Sequence, residues 1–346
     1  MTATQWQSHL IAQDAHVDGD AMHFGDQQQA LKRTAQHNTL YDLSHLTLLE
    51  VSGADAVPFL QGQVTNDVKL LDGKHAHYTG YCSPKGRLLA LFLAFAHQDH
   101  LHLQLPKSIA DAVSKRLKMY VMRSKVTISD TSDRIIKLGL NGPGASQILL
   151  QHFSEVPAAH YALSTLEQAT LLKLPSIAGH DRYQIFTTLD HAIALWESLK
   201  QKATPAGKPC WDWLEVNAGI PEIVPATQEQ FVPQMVNLDL LNAINFKKGC
   251  YTGQEIVART HYLGTVKRRT FLMHVPGENK PSAGDKIADA NQSEVGQIVR
   301  SAPHATGGFD VLAELRIEAQ QVGTVFWQAV ALEQKVMPYS LGLIES

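Results

Sequence analysis

The feature that most constrains this chain is a short stretch, residues 247–255, which reads KKGCYTGQE. Thr252 and Glu255 have the spacing of a capping box, in which a hydroxyl and a carboxylate satisfy the free N–H groups at a helix start. We therefore predict a helix over residues 253–261, so that Cys250 lies just before its N-terminus. Both glycines of the stretch let the backbone turn sharply or approach a ligand closely.

The sequence around Cys250 predicts an activated thiol. Free N–H groups and the positive end of the helix dipole favour an anion at a helix start, and Lys247 and Lys248 add positive charge. Both effects lower the pKa of a thiol and so increase its reactive thiolate fraction. Glu255 and Arg259 stand four residues apart and are expected to pair on one face of the helix. The alternative is a cysteine that packs as a small hydrophobic group.

Charge, cysteine content and the N-terminal sequence limit the class of protein. A net charge of −3 over 346 residues argues against a strongly basic nucleic-acid binder. Cys82, Cys210 and Cys250 are too widely spaced for a disulfide framework or a CxxC metal pattern, so we expect a reducing compartment, the cytoplasm. The sequence shows no signal-peptide pattern and no apolar run of ~18 residues, so no membrane segment is expected. His75 and His77 lack cysteine or acidic partners at matching spacing, and no metal site is predicted.

The order of the predicted elements indicates an α+β protein, and 346 residues are sufficient for two or three domains. Residues 1–133 are expected to form an N-terminal α+β domain, completed by residues 207–262. Over 134–206, the order strand–helix–strand–strand–helix is typical of a ferredoxin-like unit. Residues 207–264 carry the KGCYTGQE motif. Short strands between turns over 265–346 predict a small C-terminal β-barrel.

Two strands and a loop of the N-terminal domain bear on a binding site. Alternating apolar residues predict one strand over 41–51, and residues 88–96 are apolar throughout, as in a central strand buried on both faces. Between them, residues 61–68 read QGQVTNDV. Their amides, hydroxyl and carboxylate are suited to hydrogen-bonding a polar heterocycle, and the alternative is a polar turn after a helix. The candidate groups are Gln63, Thr65, Asn66 and Asp67.

The KGCYTGQE motif resembles the signature of the YgfZ family, folate-binding proteins related to the T-protein (GcvT) of the glycine cleavage system. The loop 61–68, AGIP at 218–221 and FVPQ at 231–234 are also similar to that family, so the resemblance extends over most of the chain. It implies a three-domain, GcvT-like ring around a central cavity for tetrahydrofolate or a one-carbon derivative. It also implies a role in iron–sulfur cluster assembly or repair and, through it, in tRNA modification.

The resemblance implies two groups of site residues. The first surrounds a reactive Cys250, whose thiol Lys248 would tune, and its pocket would be formed by Gly249, Tyr251, Thr252, Gly253, Gln254, Glu255 and Arg259. The second binds folate. The family carries a tryptophan at the folate pocket, and Trp211 falls at the matching position, where its ring can stack on a pterin; Trp213 is the alternative. The implied folate contacts are Trp211, Asn217, Gln63, Thr65, Asn66, Asp67, Gln234 and Asn237.

The sequence also departs from the T-protein pattern. The acidic residues on the central strand of T-proteins are replaced by Ala90 and Leu91, which can neither accept a proton nor stabilise a cation. We therefore expect no aminomethyl transfer and no classical turnover. The glutamate before the Ala-Gly pair is Asn217 here, which retains hydrogen bonds but loses a charge-assisted contact. A tryptophan of some YgfZ proteins is Leu46 here.

The resemblance implies as partners folate, iron–sulfur enzymes or assembly proteins, and tRNA-modifying enzymes. Two other functions stay open. One is a folate-dependent one-carbon transferase or demethylase of the aminomethyltransferase superfamily. The other is an RNA-binding module, for which the basic run Lys267-Arg268-Arg269 is the candidate contact, although the acidic balance of the chain does not favour it.

Overall fold

The computed structural model describes residues 2–19 and 21–342. Its α-helices are α1 (Thr2–Ile11), α2 (Gln27–Gln36), α3 (Ala56–Gln61), α4 (Lys107–Met119), α5 (Ala145–Leu149), α6 (Leu189–Leu199), α7 (Lys208–Asn217), α8 (Gln254–Tyr262) and α9 (Ile317–Val322). Its strands are β1 (Ala15–Asp18), β2 (Ala21–Phe24), β3 (Thr39–Asp42), β4 (Leu46–Ser52), β5 (His77–Cys82), β6 (Leu88–His97), β7 (His100–Pro106), β8 (Thr127–Asp130), β9 (Ile136–Gly142), β10 (Leu163–Thr165), β11 (Ala169–Ile177), β12 (His180–Thr187), β13 (Thr204–Ala206), β14 (Arg268–Val275), β15 (Lys286–Ala288), β16 (Glu294–Pro303), β17 (Phe309–Arg316), β18 (Phe326–Trp327), β19 (Val330–Ala331) and β20 (Glu333–Gln334).

The first large sheet belongs to the N-terminal part of the chain. Its strands lie in the order β5-β6-β7-β4-β8. The strand predicted over 88–96 is confirmed as β6, whose side chains are buried from Leu88 to Phe95. On one face, α4 packs with Ile109, Val113 and Leu117, which recur at helical spacing. The other face contributes to the largest core of the molecule, so this sheet is covered on both sides.

The second large sheet is ferredoxin-like with two added strands, β10 at one edge and β3 in the interior. Its order is β10-β11-β12-β9-β3-β13. Strands β9, β11, β12 and β13, with α5 and α6, have the chain order of a ferredoxin-like unit. Strand β3 lies between β9, to which it is antiparallel, and β13, to which it is parallel. The middle sheet is therefore completed by a strand from the beginning of the chain.

The prediction of a single strand over 41–51 is wrong. The chain bends between β3 and β4, where Leu46 N donates to Leu43 O at 3.0 Å and Leu43 N donates to Lys137 O at 3.0 Å. The two strands then enter different sheets. Leu43 and Leu46, at the two ends of the bend, are both buried apolar residues, so hydrophobic pattern alone does not reveal the change of sheet. Residues within 1–133 consequently contribute to both sheets.

The C-terminal strands form the predicted β-barrel. Within the described residues, a seven-stranded sheet of order β19-β18-β15-β16-β17-β14-β20 curves into a nearly closed barrel. Its interior is filled by apolar side chains such as Phe271, Ile298 and Val311. The prediction of a small C-terminal β-barrel is therefore confirmed, as is the α+β class.

Helix α7 lies where the three parts of the molecule meet. It packs against α2, β3 and the barrel strands β16 and β17. A proline in its first turn starts it, and Gly219, with φ of 67°, follows its end. Every residue from Cys210 to Val216 is buried, which is typical of a helix enclosed on all sides. Across 2–19 and 21–342, no helix has the length and apolar character needed to cross a membrane.

Candidate functional site

A small central cavity of about 50 Å³ lies between the N-terminal sheet, the middle sheet, α7 and the barrel. Leu91 and Leu46, two positions at which the sequence was expected to depart from the family pattern, both line it. Ala90, the neighbour of Leu91 on β6, packs in the core on the opposite face of the sheet. The polar lining comes from Gln104, Gln184, Glu215, Glu222 and Arg300, and Tyr78 and Trp211 add aromatic rings.

Trp211 is the sequence-predicted folate residue that lines this cavity. Its ring is 1 % exposed and meets Tyr41 edge-on at a centroid distance of 5.1 Å. The guanidinium carbon of Arg182 lies 5.4 Å from the ring centroid, within cation–π range. Gly139 makes room for the indole, because a Cβ there would stand 2.6 Å from Trp211 Cζ3. The alternative, Trp213, instead donates from Nε1 to Asp310 Oδ2 at 3.0 Å.

A buried ionic network surrounds the cavity. Arg182 Nη1 donates to Glu215 Oε1 at 2.8 Å, and Arg300 Nη2 donates to Asp212 Oδ1 at 2.8 Å. Arg300 Nη1 also lies 3.6 Å from Glu215 Oε2. Burial opposes ionisation of Asp212, but Lys208 and Arg300 hold the pKa of its carboxyl below the usual value. The network therefore keeps charged groups in place where water is largely excluded.

Several polar atoms around the cavity have no partner within the described residues. They are Gln104 Oε1, Gln184 Oε1, Arg300 Nε, and Arg182 Nε and Nη2. An unpartnered buried donor or acceptor costs about 1–3 kcal/mol, so such groups mark a site for a polar ligand or for water. Acceptors, guanidinium donors and an aromatic face in one place are suited to a flat, polar heterocycle. Of these groups, only Trp211 was anticipated from the sequence.

Glu215 and Glu222 are cavity acids that sequence reasoning missed. The acid of related proteins was sought at Asn217, but that side chain lies beside the barrel. Asn217 Nδ2 donates to Trp213 O at 2.9 Å and to Asp310 Oδ2 at 3.1 Å, while its Oδ1 accepts from Lys335 Nζ at 3.2 Å. One signal was available, since Glu215 stands four residues after Trp211 in the same helix and therefore lies on the same side of it.

The loop after α3 uses its polar groups to hold its own shape. Thr65 Oγ1 donates to Ala243 O at 2.7 Å and accepts from Gly80 N at 2.7 Å. Asn66 Nδ2 donates to Tyr78 O at 3.0 Å and to Asn242 O at 2.8 Å, and its Oδ1 accepts from Asp67 N at 2.9 Å.

None of the four candidate groups of this loop, Gln63, Thr65, Asn66 and Asp67, lines the described central cavity. Gln63 Oε1 is buried and has no partner among the residues that the structure describes, and Asp67 Oδ1 accepts from Lys69 N at 3.1 Å. The loop touches the cavity indirectly, through the β5 strand on which it rests, because Tyr78 of that strand lines the cavity.

Gln234 and Asn237 join α8 and the barrel to the centre of the molecule. Gln234 Nε2 donates to Val257 O at 2.7 Å. Asn237, in the left-handed region with φ of 60°, donates from Nδ2 to Thr270 O at 2.8 Å. Both side chains are fully buried, and neither lines the described central cavity. These contacts indicate that Gln234 positions α8 and that Asn237 positions the barrel strand β14.

Lys248 is bound to the loop after α3. Its ammonium donates to three carbonyl oxygens, those of Gln61 at 2.7 Å, Val64 at 2.6 Å and Asn66 at 2.9 Å. The three N–H donors of an ammonium are thereby all used. Burial lowers the pKa of Lys248 to about 8, against a smaller opposing effect of Asp67. Lys248 therefore fixes the KGCYTGQE stretch to this loop.

The helix after Cys250 starts differently from the prediction. Helix α8 begins at Gln254, and its N-cap is Gly253, with φ of 81° and no side-chain cap hydrogen bond, so the predicted capping box of Thr252 is wrong. Gly253 is needed because a Cβ there would lie 2.5 Å from Ser83 O. The stretch thus packs onto the turn between β5 and β6.

Cys250 itself is exposed, whereas Cys82 and Cys210 are buried. Burial raises the pKa of each of those two thiols to about 12. The Lys248 ammonium nitrogen lies over the ring of Tyr251, 5.1 Å from the ring centroid. No ion pair between Glu255 and Arg259 occurs among the described residues, although one was expected, and both side chains are exposed.

The nine residues 247–255 do not line the described central cavity. The molecule therefore presents two separate places: a cavity with polar lining groups and an exposed thiol. Over residues 2–19 and 21–342, no group of three or more His, Cys, Asp and Glu side chains is arranged to hold a metal ion. The thiol therefore has no described partner ligands of its own.

Comparison with known proteins agrees with this architecture. The family described as "GCVT N-terminal domain" matches residues 11–248. The tRNA-modifying protein YgfZ of Sodalis glossinidius is 32% identical over 313 residues, which cover 88% of this chain and 94% of that protein. The protein of the same name from Pectobacterium carotovorum is 35% identical over 249 residues, 72% of this chain and 74% of that protein.

A solved structure gives the same fold. The glycine cleavage system aminomethyltransferase T from Bartonella henselae superposes with a TM-score of 0.75, covering 90% of this chain and 89% of that one at 18% identity. At that identity the likeness concerns the fold alone. The sequence relatives and the matched family show that this chain belongs to the YgfZ family, and its fold is that of a GcvT aminomethyltransferase.

Proposed function

We propose that this protein binds tetrahydrofolate, or a one-carbon derivative of it, in the central cavity. The observation that carries the proposal is the set of unpartnered polar atoms, Gln104 Oε1, Gln184 Oε1 and Arg300 Nε, around a cavity that Trp211 also lines. A pterin is flat and carries several donors and acceptors. It would stack on an indole and occupy groups that otherwise remain unsatisfied.

The size of the cavity adds a condition. About 50 Å³ is room for one or two waters, whereas small-molecule sites span about 300–1,000 Å³. Folate binding therefore requires that the lining side chains, or the sheets, helix and barrel that carry them, move apart. Leu91 lines the cavity where the family pattern implies an acid, and it can neither accept a proton nor stabilise a cation, so aminomethyl transfer is not part of the proposed function.

Calorimetric titration with tetrahydrofolate tests the binding site. Gln184→Met keeps the size of a side chain that is 2 % exposed but removes its unpartnered oxygen. We expect the variant to be at least as stable as the parent and to bind folate about tenfold more weakly. Gln28→Met, at an exposed position of α2, is the matched control and should bind normally. Absence of heat and of tryptophan quenching in the parent protein would eliminate the folate site.

We further propose that the protein supports assembly or repair of iron–sulfur enzymes, and through them tRNA modification. Support comes from the name of the YgfZ relatives, tRNA-modifying protein, and from an exposed thiol within the shared motif. Cys250 is the reactive group, and Lys248 positions the stretch that presents it. The motif residues Gly249, Tyr251, Thr252, Gly253, Gln254, Glu255 and Arg259 shape the surface around the thiol.

The cavity and the thiol are connected through β5. Tyr78 lines the cavity, and its carbonyl accepts from Asn66 Nδ2 at 3.0 Å. The Lys248 ammonium in turn donates to Asn66 O at 2.9 Å. A ligand that shifts Tyr78 would move the stretch that carries Cys250. Folate binding in the cavity would thereby change the position of the exposed thiol.

Complementation of a deletion strain tests the role of the thiol. Cys250→Ser replaces one sulfur by oxygen at an exposed position and is expected to leave the fold intact. We expect it to fail to restore iron–sulfur enzyme activities and tRNA modification, while Cys210→Ser, if folded, serves as the control for a buried thiol. Full rescue by Cys250→Ser would show that the sulfur is dispensable.

A further inference from the structure

A second cavity of about 330 Å³ lies between α1, the hairpin of β1 and β2, the bend after β3, and the start of β9. It shares no lining residue with the central cavity. Its volume falls within the range of about 300–1,000 Å³ that small-molecule sites occupy. This cavity is therefore large enough for a small ligand without rearrangement.

One side of the second cavity is apolar. Trp6 and Leu10 of α1 are almost fully buried and face it, together with Met22 of the hairpin. Ile135 and Ile136 line it from the start of β9. These side chains offer an apolar surface to the body of a ligand.

The other side carries an unpaired, buried cation. Lys137 lines the cavity and is 3 % exposed. No hydrogen bond or ion pair reaches its ammonium among the residues that the structure describes, although Asp42 and Asp130 lie near enough to stabilise its charge at longer range. Burial lowers the pKa of Lys137 to about 8. A buried ammonium without a partner is unfavourable, and a ligand carboxylate would relieve that cost.

Carboxylates line the same cavity. Asp42 Oδ1 accepts from Trp6 Nε1 at 2.8 Å and from Ser44 Oγ at 2.6 Å, and burial raises the pKa of this carboxyl. Asp130 also lines the cavity. Lys107 and Asp133 also line the cavity and already interact with other groups. A purely anionic ligand would meet these carboxylates unfavourably, whereas a ligand that carries both charges complements Lys137 and Asp42 together.

We propose that this cavity binds a small α-amino acid with an apolar side chain. The carboxylate of the ligand pairs with Lys137, its ammonium group faces Asp42 and Asp130, and its side chain packs between Trp6 and Ile136. The site is independent of folate and of Cys250.

Titration of the full-length protein with three matched compounds tests the proposal by ligand-observed NMR. Phenylalanine carries both charges, 3-phenylpropanoate lacks the amine and phenethylamine lacks the carboxylate. We expect saturable binding of phenylalanine and about tenfold weaker binding of each analogue, as for loss of one charge-assisted hydrogen bond. Equal binding of 3-phenylpropanoate would refute the amino-acid class, and no saturable binding of phenylalanine at millimolar concentration would refute the site.

Two variants locate the binding. Lys137→Met keeps the length of the side chain and removes the charge, and it should weaken phenylalanine binding about tenfold while leaving phenethylamine unchanged. Lys74→Met, at an exposed loop position, is the matched control. Val17→Trp changes a side chain that is 44 % exposed at the rim, so it should fold normally and block the cavity. Phenylalanine binding that survives Val17→Trp unchanged would place the ligand elsewhere and overturn the proposal, whatever the stability of Lys137→Met.

Discussion

Replacing Lys248 by methionine tests the structural role of the KGCYTGQE lysine most directly. The ammonium donates three hydrogen bonds of 2.6–2.9 Å to carbonyl groups of the loop after α3. Hydrogen bonds from a charged group contribute about 1.5–3 kcal/mol each, so their gross loss is at least about 4.5 kcal/mol. Removing a partly desolvated charge and burying a methionine offset part of this loss. We expect a net decrease of about 2–3 kcal/mol in the free energy of unfolding.

The assay combines urea unfolding with hydrogen exchange. Because Lys248 holds the loop, Lys248→Met should also speed exchange of the amides of Thr65 and Asn66, which lie in that loop. Lys247→Met is the matched control, since its side chain is exposed and one residue away. If both variants unfolded at the same urea concentration and exchanged alike, the assignment of Lys248 as a structural clamp would be refuted.

Three further predictions concern other parts of the molecule. Cys250 should be the thiol that iodoacetamide alkylates in the native protein at neutral pH, because Cys82 and Cys210 are buried with pKa values near 12; peptide mapping that finds equal rates would contradict this. Burial lowers the pKa of His45 from 6.5 to about 3. Between these two pH values the unfolded chain binds a proton at His45 that the folded chain does not, so the free energy of unfolding decreases as the pH falls below 6.5. His45→Gln should reduce the pH dependence of the free energy of unfolding, measured with urea, by up to about 1.4 kcal/mol per pH unit. An unchanged pH dependence would contradict the prediction. Gly139→Ala places a methyl group 2.6 Å from an indole carbon and should cost about 1–3 kcal/mol, with a shift in tryptophan fluorescence, whereas parental stability and emission would show that the ring has room to move.

The sequence was most informative where the residues of a site are neighbours along the chain. The KGCYTGQE motif lies in one run and indicated the family, and the apolar strand β6 was recognisable from its composition. The cavity was harder to predict because its polar groups come from different elements. Glu215, Arg182 and Arg300 are far apart in sequence, and each alone resembles an ordinary surface charge.

The role of Lys248 was hidden for the same reason. A lysine two residues before a cysteine is expected to act on the thiol, and nothing local shows that its ammonium is bound by carbonyls almost two hundred residues earlier. The capping box failed because local spacing does not record tertiary crowding. Gly253 is in the left-handed region and lies against Ser83 O, which sets the start of α8.

The inserted strand β3 has a consequence for how the chain folds during synthesis. Strand β3 pairs with β9 and with β13, so Thr39 meets Thr204 across the sheet. The middle sheet therefore cannot form completely until the ribosome has released residues up to 206. Until then, β3 lacks at least one of the two strands that pair with it. Contacts of such high sequence separation slow folding. A fragment that starts at residue 134 would lack the strand that joins β9 to β13, and would expose two sheet edges to aggregation.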